Sequence, residues 1–213
     1  MPSKASYWVA SHITGLFEIL NRKGSPLNQG SRGAGFSINR GVITTVKINE
    51  NTDQLKIFFD NKEIKPKYAL ISSKIINLLV PPKKKNMIEI YHEFEIPIGA
   101  GFGASAAGAL GLAFCLNKTM NLGYSALKLW QTAHIAEIEC KSGLGDVIGL
   151  YQGETEIRYE PGAPGIGKTE NFLLPNKNEN IITINFGKIS TAEILSSKNK
   201  RICARGEIRT HGV

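Results

Sequence analysis

The stretch Ile88-EIYHEFEIPIGAGFGASAAGALGLAFC-Leu116 decides the fold. Ile88, Ile90, Phe94 and Ile96 alternate with Glu89, Tyr91, Glu93 and Glu95, the period of a half-buried strand, with His92 on the apolar side. Pro97 ends that strand. Gly99, Gly101 and Gly103 follow, able to take backbone angles closed to other residues and to let a ligand approach the main chain. From Ala104 the chain is rich in alanine and leucine, so a helix is expected to start there and to aim its unpaired amides and positive dipole end into the loop. An anion is the natural occupant. Ser105 in the first turn is placed to cap the helix or to set its hydroxyl on a phosphate or a phosphate-bound metal ion. A glycine-rich turn before an ordinary core helix has the same local pattern, so the choice turns on the rest of the chain.

On both sides the pattern is mixed α/β. Residues up to Ile64 read as β-rich, with Val42 to Ile48 and Leu55 to Phe59 expected to form a hairpin across the turn-prone Asn49 to Asp53. Tyr68 to Val80 is helix-like, with Leu70, Ile71, Ile75, Ile76 and Leu79 on one face and Pro81 as the stop. Ser125 opens a helix predicted to reach about Cys140. Ile181 to Phe186 alternates as a strand, and Ser190 with Glu193 has the spacing of a capping box. The ending RICARGEIRTHGV shows no periodicity.

Composition bounds the class. The 213 residues carry 42% hydrophobic and 21% charged side chains, as a globular protein does, and no apolar run reaches the length of a membrane span. The amino terminus lacks the layout of a secretion signal, so a cytoplasmic location is expected. Cys115, Cys140 and Cys203 are too widely spaced for a disulfide framework or a structural zinc site. The net charge of +8 suits an enzyme that handles anionic substrates as well as it suits a nucleic-acid binder. The basic run Lys83 to Lys85 follows two prolines and no aromatic residues are interleaved with it, so a solvated loop is expected and no nucleic-acid partner.

Two other motifs bear on chemistry. Gly162-APGIGK-Thr169 is a literal match to the Walker A pattern. A P-loop must follow a buried strand and open a helix, whereas here Pro161, Pro164 and Pro175 frame a turn between extended segments. The carboxylates of Glu137, late in the helix from Ser125, and Asp146, in the glycine-bearing SGLGDV loop, fit the needs of phosphoryl transfer. One holds Mg²⁺ and another orients or deprotonates the attacking hydroxyl. A solvated helix face for Glu137, with Glu139 its rival, and a helix cap for Asp146 are the plain alternatives. Near the amino terminus His12 and Thr14 in SHITG, and Ser31 and Arg32 in QGSRGAG, are polar residues among glycines and apolar neighbours. Arg32 has the planar fork for a carboxylate or phosphate. His134 reads as structural.

Together these segments resemble the GHMP kinases. The family's phosphate loop, Pro-x-x-x-Gly-Leu-Gly-Ser-Ser-Ala-Ala, is matched by Pro97-IGAGFGASA-Ala107, with Phe102 for the leucine and Ala104 for the first serine. Within that superfamily the segments SHITGLF, GSRGAGFSINRGV, GFGASAAGALG, AHIAEIECKSGLGDV, IRYEPGAPGIGK and GKISTAEIL look like those of the archaeal pantoate kinases, in the same order. The resemblance implies a GHMP amino-terminal α/β domain over residues 1–180, with a left-handed βαβ crossover. It implies the start of an incomplete ferredoxin-like second domain, with an atypical tail, over 181–213. It implies ATP and Mg²⁺ as cofactors, pantoate as the substrate and a homodimer as the assembly. By position Gly99, Gly101, Gly103, Ala104, Ser105 and Ala106 would wrap the ATP phosphates, Ser105 and Glu137 would serve Mg²⁺, and Asp146 would act on the acceptor hydroxyl. His12, Arg32 and Arg158 are the candidates for the substrate side, and SHITG lacks the proline of the family's first motif. Another hydroxy acid or alcohol as acceptor, or a nucleotide-binding remnant without activity, are the alternatives.

Overall fold

The computed structural model describes residues 3–20, 24–50, 54–172, 182–183 and 201–203, the last three as backbone. Two long antiparallel strands, β1 (Lys4–Leu20) and β2 (Gly30–Ile48), pair from Lys4 opposite Lys47 to Leu20 opposite Gly30. Their ladder slips between Ala10 and Ser11 and again between Thr14 and Leu16. Such irregularities re-aim side chains, and His12 and Thr14 lie between the two.

Beyond β2 come β3 (Lys56–Phe59), β4 (Lys62–Glu63) and β5 (Ile88–Phe94). The expected hairpin of Val42 to Ile48 with Leu55 to Phe59 is not formed. β5 lies between the two, antiparallel to β2 and parallel to β3, with α1 (Leu70–Leu79) as the crossover. The turn signal at Asn49 to Asp53 is local, whereas pairing follows the faces to be buried. Ile88 and Ile90 of β5, flanked by Val46 and Ile57, are fully inaccessible. The hairpin partner of β3 is β4, joined at Asp60 and Asn61, whose φ values of 46° and 66° make the primed turn that suits right-twisted strands.

On the same edge of β2 as β5, residues Gly33 to Phe36 pair with β6 (Thr155–Glu160), which in turn pairs with β7 (Lys168–Asn171). β8 (Arg201–Cys203) runs along β1 at Leu16 to Glu18. The Ile181 strand and the Ser190 capping box lie outside the described residues.

One layer of helices covers the sheet. α2 (Ala104–Met120) lies on β1 and β2, with α1 and α3 (Ala126–Cys140) against it, and α4 (Asp146–Gln152) closes the end near β1 and β6. α2 is buried almost all round, which its Ala106, Ala107, Gly108, Ala109, Gly111 and Ala113 permit by letting the helix axis settle close to the sheet. His92 faces this layer, with Nδ1 2.9 Å from the Thr44 hydroxyl and Nε2 3.0 Å from that of Ser72. Burial pushes its pKa down to about 4, so it is a neutral core residue. His134 is structural too, its Nε2 donating to the carbonyls of Pro26 and Gln29 and so tying α3 to the turn before β2.

Candidate active site

The loop between β5 and α2 has the conformation its glycines allow. Gly99, Gly101 and Gly103 take φ of 77°, 81° and 65°. α2 begins at Ala104 with no side chain capping its first amides, so these donors point into an open loop. Ser105 is not the cap. Gly103 holds that position, and the Ser105 hydroxyl donates to Glu137 Oε2 at 3.1 Å.

Glu137 sits in the last turn of α3, nearly inaccessible, and Ser142 donates to its other oxygen at 2.8 Å. Its rival Glu139 is half-exposed and paired with Lys74. Asp146 is the first residue of α4, a short helix without a signature in the sequence. Gly143 separates the two carboxylates. A methyl group there would lie 2.2 Å from Glu137 Oε2 and 3.3 Å from Asp146 Oδ2, so only glycine lets both carboxylates face the same space. Burial, and then the charge of Asp146, push the Glu137 carboxyl up to about 7. Among the described residues Glu137 has no cationic partner.

This carboxyl has a consequence for stability. Its pKa in the folded protein lies above the unfolded value of 4.5, so between the two the native state binds the extra proton. Stability therefore falls as pH rises from about 4.5 to about 7, and the deficit, about 3 kcal/mol, is complete above that range. In thermal melts, Glu137→Gln is expected to gain on the parent chain across this range, and an equal pH profile for the two chains would refute the assignment.

Asp146 belongs to a second network. Its Oδ1 accepts from His12 Nδ1 at 3.0 Å and from the Thr14 hydroxyl at 3.2 Å. The far side of the His12 ring, Nε2, is 3.1 Å from Glu156 Oε1, and Arg158 forms an ion pair with that same oxygen while reaching Thr14 with its other terminal nitrogen. His12, Glu156 and Arg158 are each 1% exposed or less. Burial alone would raise the Asp146 pKa, but the His12 hydrogen bond and the His12 and Arg158 charges bring it below the ordinary value. Burial would likewise lower that of His12, and the bonds to Asp146 and Glu156 outweigh it, so the ring holds its proton more tightly than a free histidine.

The structure thus brings Ser105, Glu137, Asp146, His12 and Arg158 to the head of α2. Arg32 is not among them. It stands on the exposed face of β2 opposite Glu18, while its neighbour Ser31 is buried. The Walker-like segment stays a turn: Ala163 donates its amide to Leu27, Ile166 and Gly167 donate theirs to Ala163, and Lys168 opens β7 paired with Glu160. Glu156 was not legible as a site residue. Its signal is present in the alternation of Thr155 to Tyr159, which sets Glu156 and Arg158 on one face with opposite charges.

The family profile "GHMP kinases N terminal domain" matches residues 70–154. The chain is 35% identical over 190 residues to a pantoate kinase of Thermococcus kodakarensis, covering 88% of this chain and 62% of that one. It is 35% identical over 186 residues to one of Methanocaldococcus jannaschii, covering 87% and 64%. It therefore spans less than two thirds of the length of these relatives. A solved "phosphotransferase related to CoA biosynthesis pathway" superposes with a TM-score of 0.74 at 36% identity, covering 81% of this chain and 58% of that one. Mevalonate diphosphate decarboxylase from Staphylococcus aureus, at 14% identity and a TM-score of 0.61 over 92% and 60%, shares the fold. Residues 70–154, which hold the glycine loop, Glu137 and Asp146, are thus the part of this chain that is similar to the amino-terminal domain of the GHMP kinases.

Proposed function

We propose that this chain carries the ATP- and substrate-binding part of a pantoate kinase, which transfers the γ-phosphoryl group of ATP to the primary hydroxyl of pantoate on the archaeal route to coenzyme A. The observation that carries the reading is the meeting of Ser105, Glu137 and Asp146 at the open amino end of α2, in a chain 35% identical to pantoate kinases over most of its length. Residues 1–180 form the working domain in this reading, and 181–213 begin the next. A cytoplasmic location and a homodimer belong to the same proposal.

The loop Gly99 to Gly103 and the amides of Ala104, Ser105 and Ala106 hold the phosphates, whose charge suits the helix terminus. Ser105 and Glu137 offer hard oxygen donors for Mg²⁺. A buried carboxylate without a cationic partner among the described residues fits that ion, the rest of whose shell phosphate oxygens and water would supply. Bound there, Mg²⁺ would neutralise charge on the β- and γ-phosphates. Asp146, held by His12 and Thr14, receives the acceptor hydroxyl. That oxygen bonds to the γ-phosphorus, the bond from phosphorus to the departing ADP oxygen breaks, and the hydroxyl proton leaves toward Asp146. Arg158 Nε, buried and without a partner among the described residues, is the donor assigned to the substrate carboxylate. Exposed Arg32 is assigned no contact.

Incubation of the purified chain with ATP, Mg²⁺ and a panel of hydroxy acids tests the reading. Phosphorylation of pantoate is expected. Turnover of homoserine or mevalonate, with none of pantoate, would overturn the acceptor.

A further inference from the structure

His12 presents a ring whose two nitrogens both face carboxylate oxygens, Asp146 Oδ1 at 3.0 Å and Glu156 Oε1 at 3.1 Å. An ionised carboxylate only accepts, so both bonds form together only when both nitrogens carry hydrogen and the ring is a cation. Arg158 forms an ion pair with the same Oε1 of Glu156. The order Asp146, His12, Glu156, Arg158 is therefore an alternating line of charges, with no net charge. The charged groups facing the ring are Asp146 from α4 and Glu156 and Arg158 from β6.

The ring cannot turn away from this arrangement. A methyl group on Gly35 of β2 would lie 2.5 Å from its Cε1, and one on Gly149 of α4 would lie 2.6 Å from its Nε2. Two glycines thus clasp His12 from opposite elements, and side-chain volume is given up at both to seat it.

We infer that Glu156 is a positioning residue that holds His12 as an imidazolium and, through it, fixes Asp146 in place as an ionised carboxylate. The function follows from what must enter the site. An ATP tail brings several negative charges close to Asp146, and without a fixed cation behind it that carboxylate would bind a proton or swing away. His12 supplies the charge, but a fully buried histidine keeps it only if its far nitrogen also meets an anion. Glu156 is that anion, and Arg158 prevents its charge from being an uncompensated one. Glu156 touches neither nucleotide nor acceptor in this reading and acts only through the ring. The inference rests on Asp146 as the carboxylate that receives the acceptor hydroxyl.

The test separates the two readings. With ¹⁵N-labelled histidine in the 213-residue chain, free of nucleotide and substrate, both His12 ring nitrogens are expected to be protonated at about pH 8, where an ordinary histidine is neutral. In Glu156→Gln the amide can donate to Nε2, and the ring is expected to be singly protonated at the same pH. Turnover should drop on the order of tenfold to a hundredfold in kcat, the KM for ATP staying within about twofold, and Glu156→Asp should recover part of the loss. If Glu156→Gln is too unstable to measure, Glu156→Gln combined with Arg158→Met removes both charges and gives the same reading of the ring. A neutral His12 in the parent chain, or a ring whose protonation ignores the loss of Glu156, overturns the inference. A doubly protonated His12 that depends on Glu156, in a chain that phosphorylates no hydroxy acid, upholds it and overturns the kinase assignment instead.

Discussion

Asp146→Asn is expected to lower kcat by about 10²- to 10⁴-fold, the range for loss of a positioned acid–base group, or about 3–5 kcal/mol of transition-state stabilisation. The substitution is close to isosteric. Asparagine Oδ1 can still accept from His12 Nδ1 and from Thr14, the two bonds that place the side chain. What is lost is the negative charge toward which, in the proposed reaction, the acceptor proton moves. The ATP affinity is expected to stay within about twofold of the parent, since the loop and the α2 amides are untouched. Turnover within about twofold of the parent would show that Asp146 does not act on the hydroxyl.

Arg158→Met is expected to cost about 3–5 kcal/mol in chemical denaturation, the magnitude found when one partner of a buried ion pair is removed. Arg158 is 1% exposed, and its loss leaves Glu156, with no accessible surface, facing only His12. The reason is the charge left behind rather than the bond lost. Glu156→Gln in the same chain should therefore recover part of the loss, so that the double variant is less destabilised than the sum of the singles. A loss below about 1 kcal/mol for Arg158→Met, or simple additivity in the double variant, would mean that the pair contributes no coupled charge stabilisation.

The parts of this molecule that can be read from the chain alone are those set by local pattern. Strand β5, the glycine loop and the start of α2 at Ala104 follow from alternation, backbone freedom and propensity within one stretch, and α3 follows from its Ser125 cap, which accepts from the Lys128 amide. The pairing of β3 was not readable, because a turn signal at Asn49 to Asp53 says where the chain bends and not which strand it next lies beside. β1 was hidden for a different reason: its residues are mostly intermediate in burial, with little alternation to mark a strand. In the site, Glu137 and Asp146 could be singled out but not joined, since the space they share depends on Gly143. Glu156 could not be found because a charged residue on a short strand is usually solvated, and only the fold shows that His12 and Arg158 arrive on either side of it. The GHMP kinase resemblance seen in Pro97 to Ala107 is matched by the family profile over residues 70–154. The Walker-like sequence at Gly162 lacks the strand-to-helix context of a P-loop, and strand β7, not a helix, begins at Lys168.

Calorimetric binding of ATP with Mg²⁺ to the parent chain, Ser105→Ala and Lys168→Ala decides directly whether the loop from Gly99 to Gly103 is the phosphate loop. Ser105→Ala is expected to bind about tenfold more weakly, the worth of one charge-assisted contact, and Lys168→Ala to bind as the parent does. Loss of affinity in Lys168→Ala alone, with Ser105→Ala unchanged, would contradict this and move the nucleotide to the Gly162 to Thr169 turn.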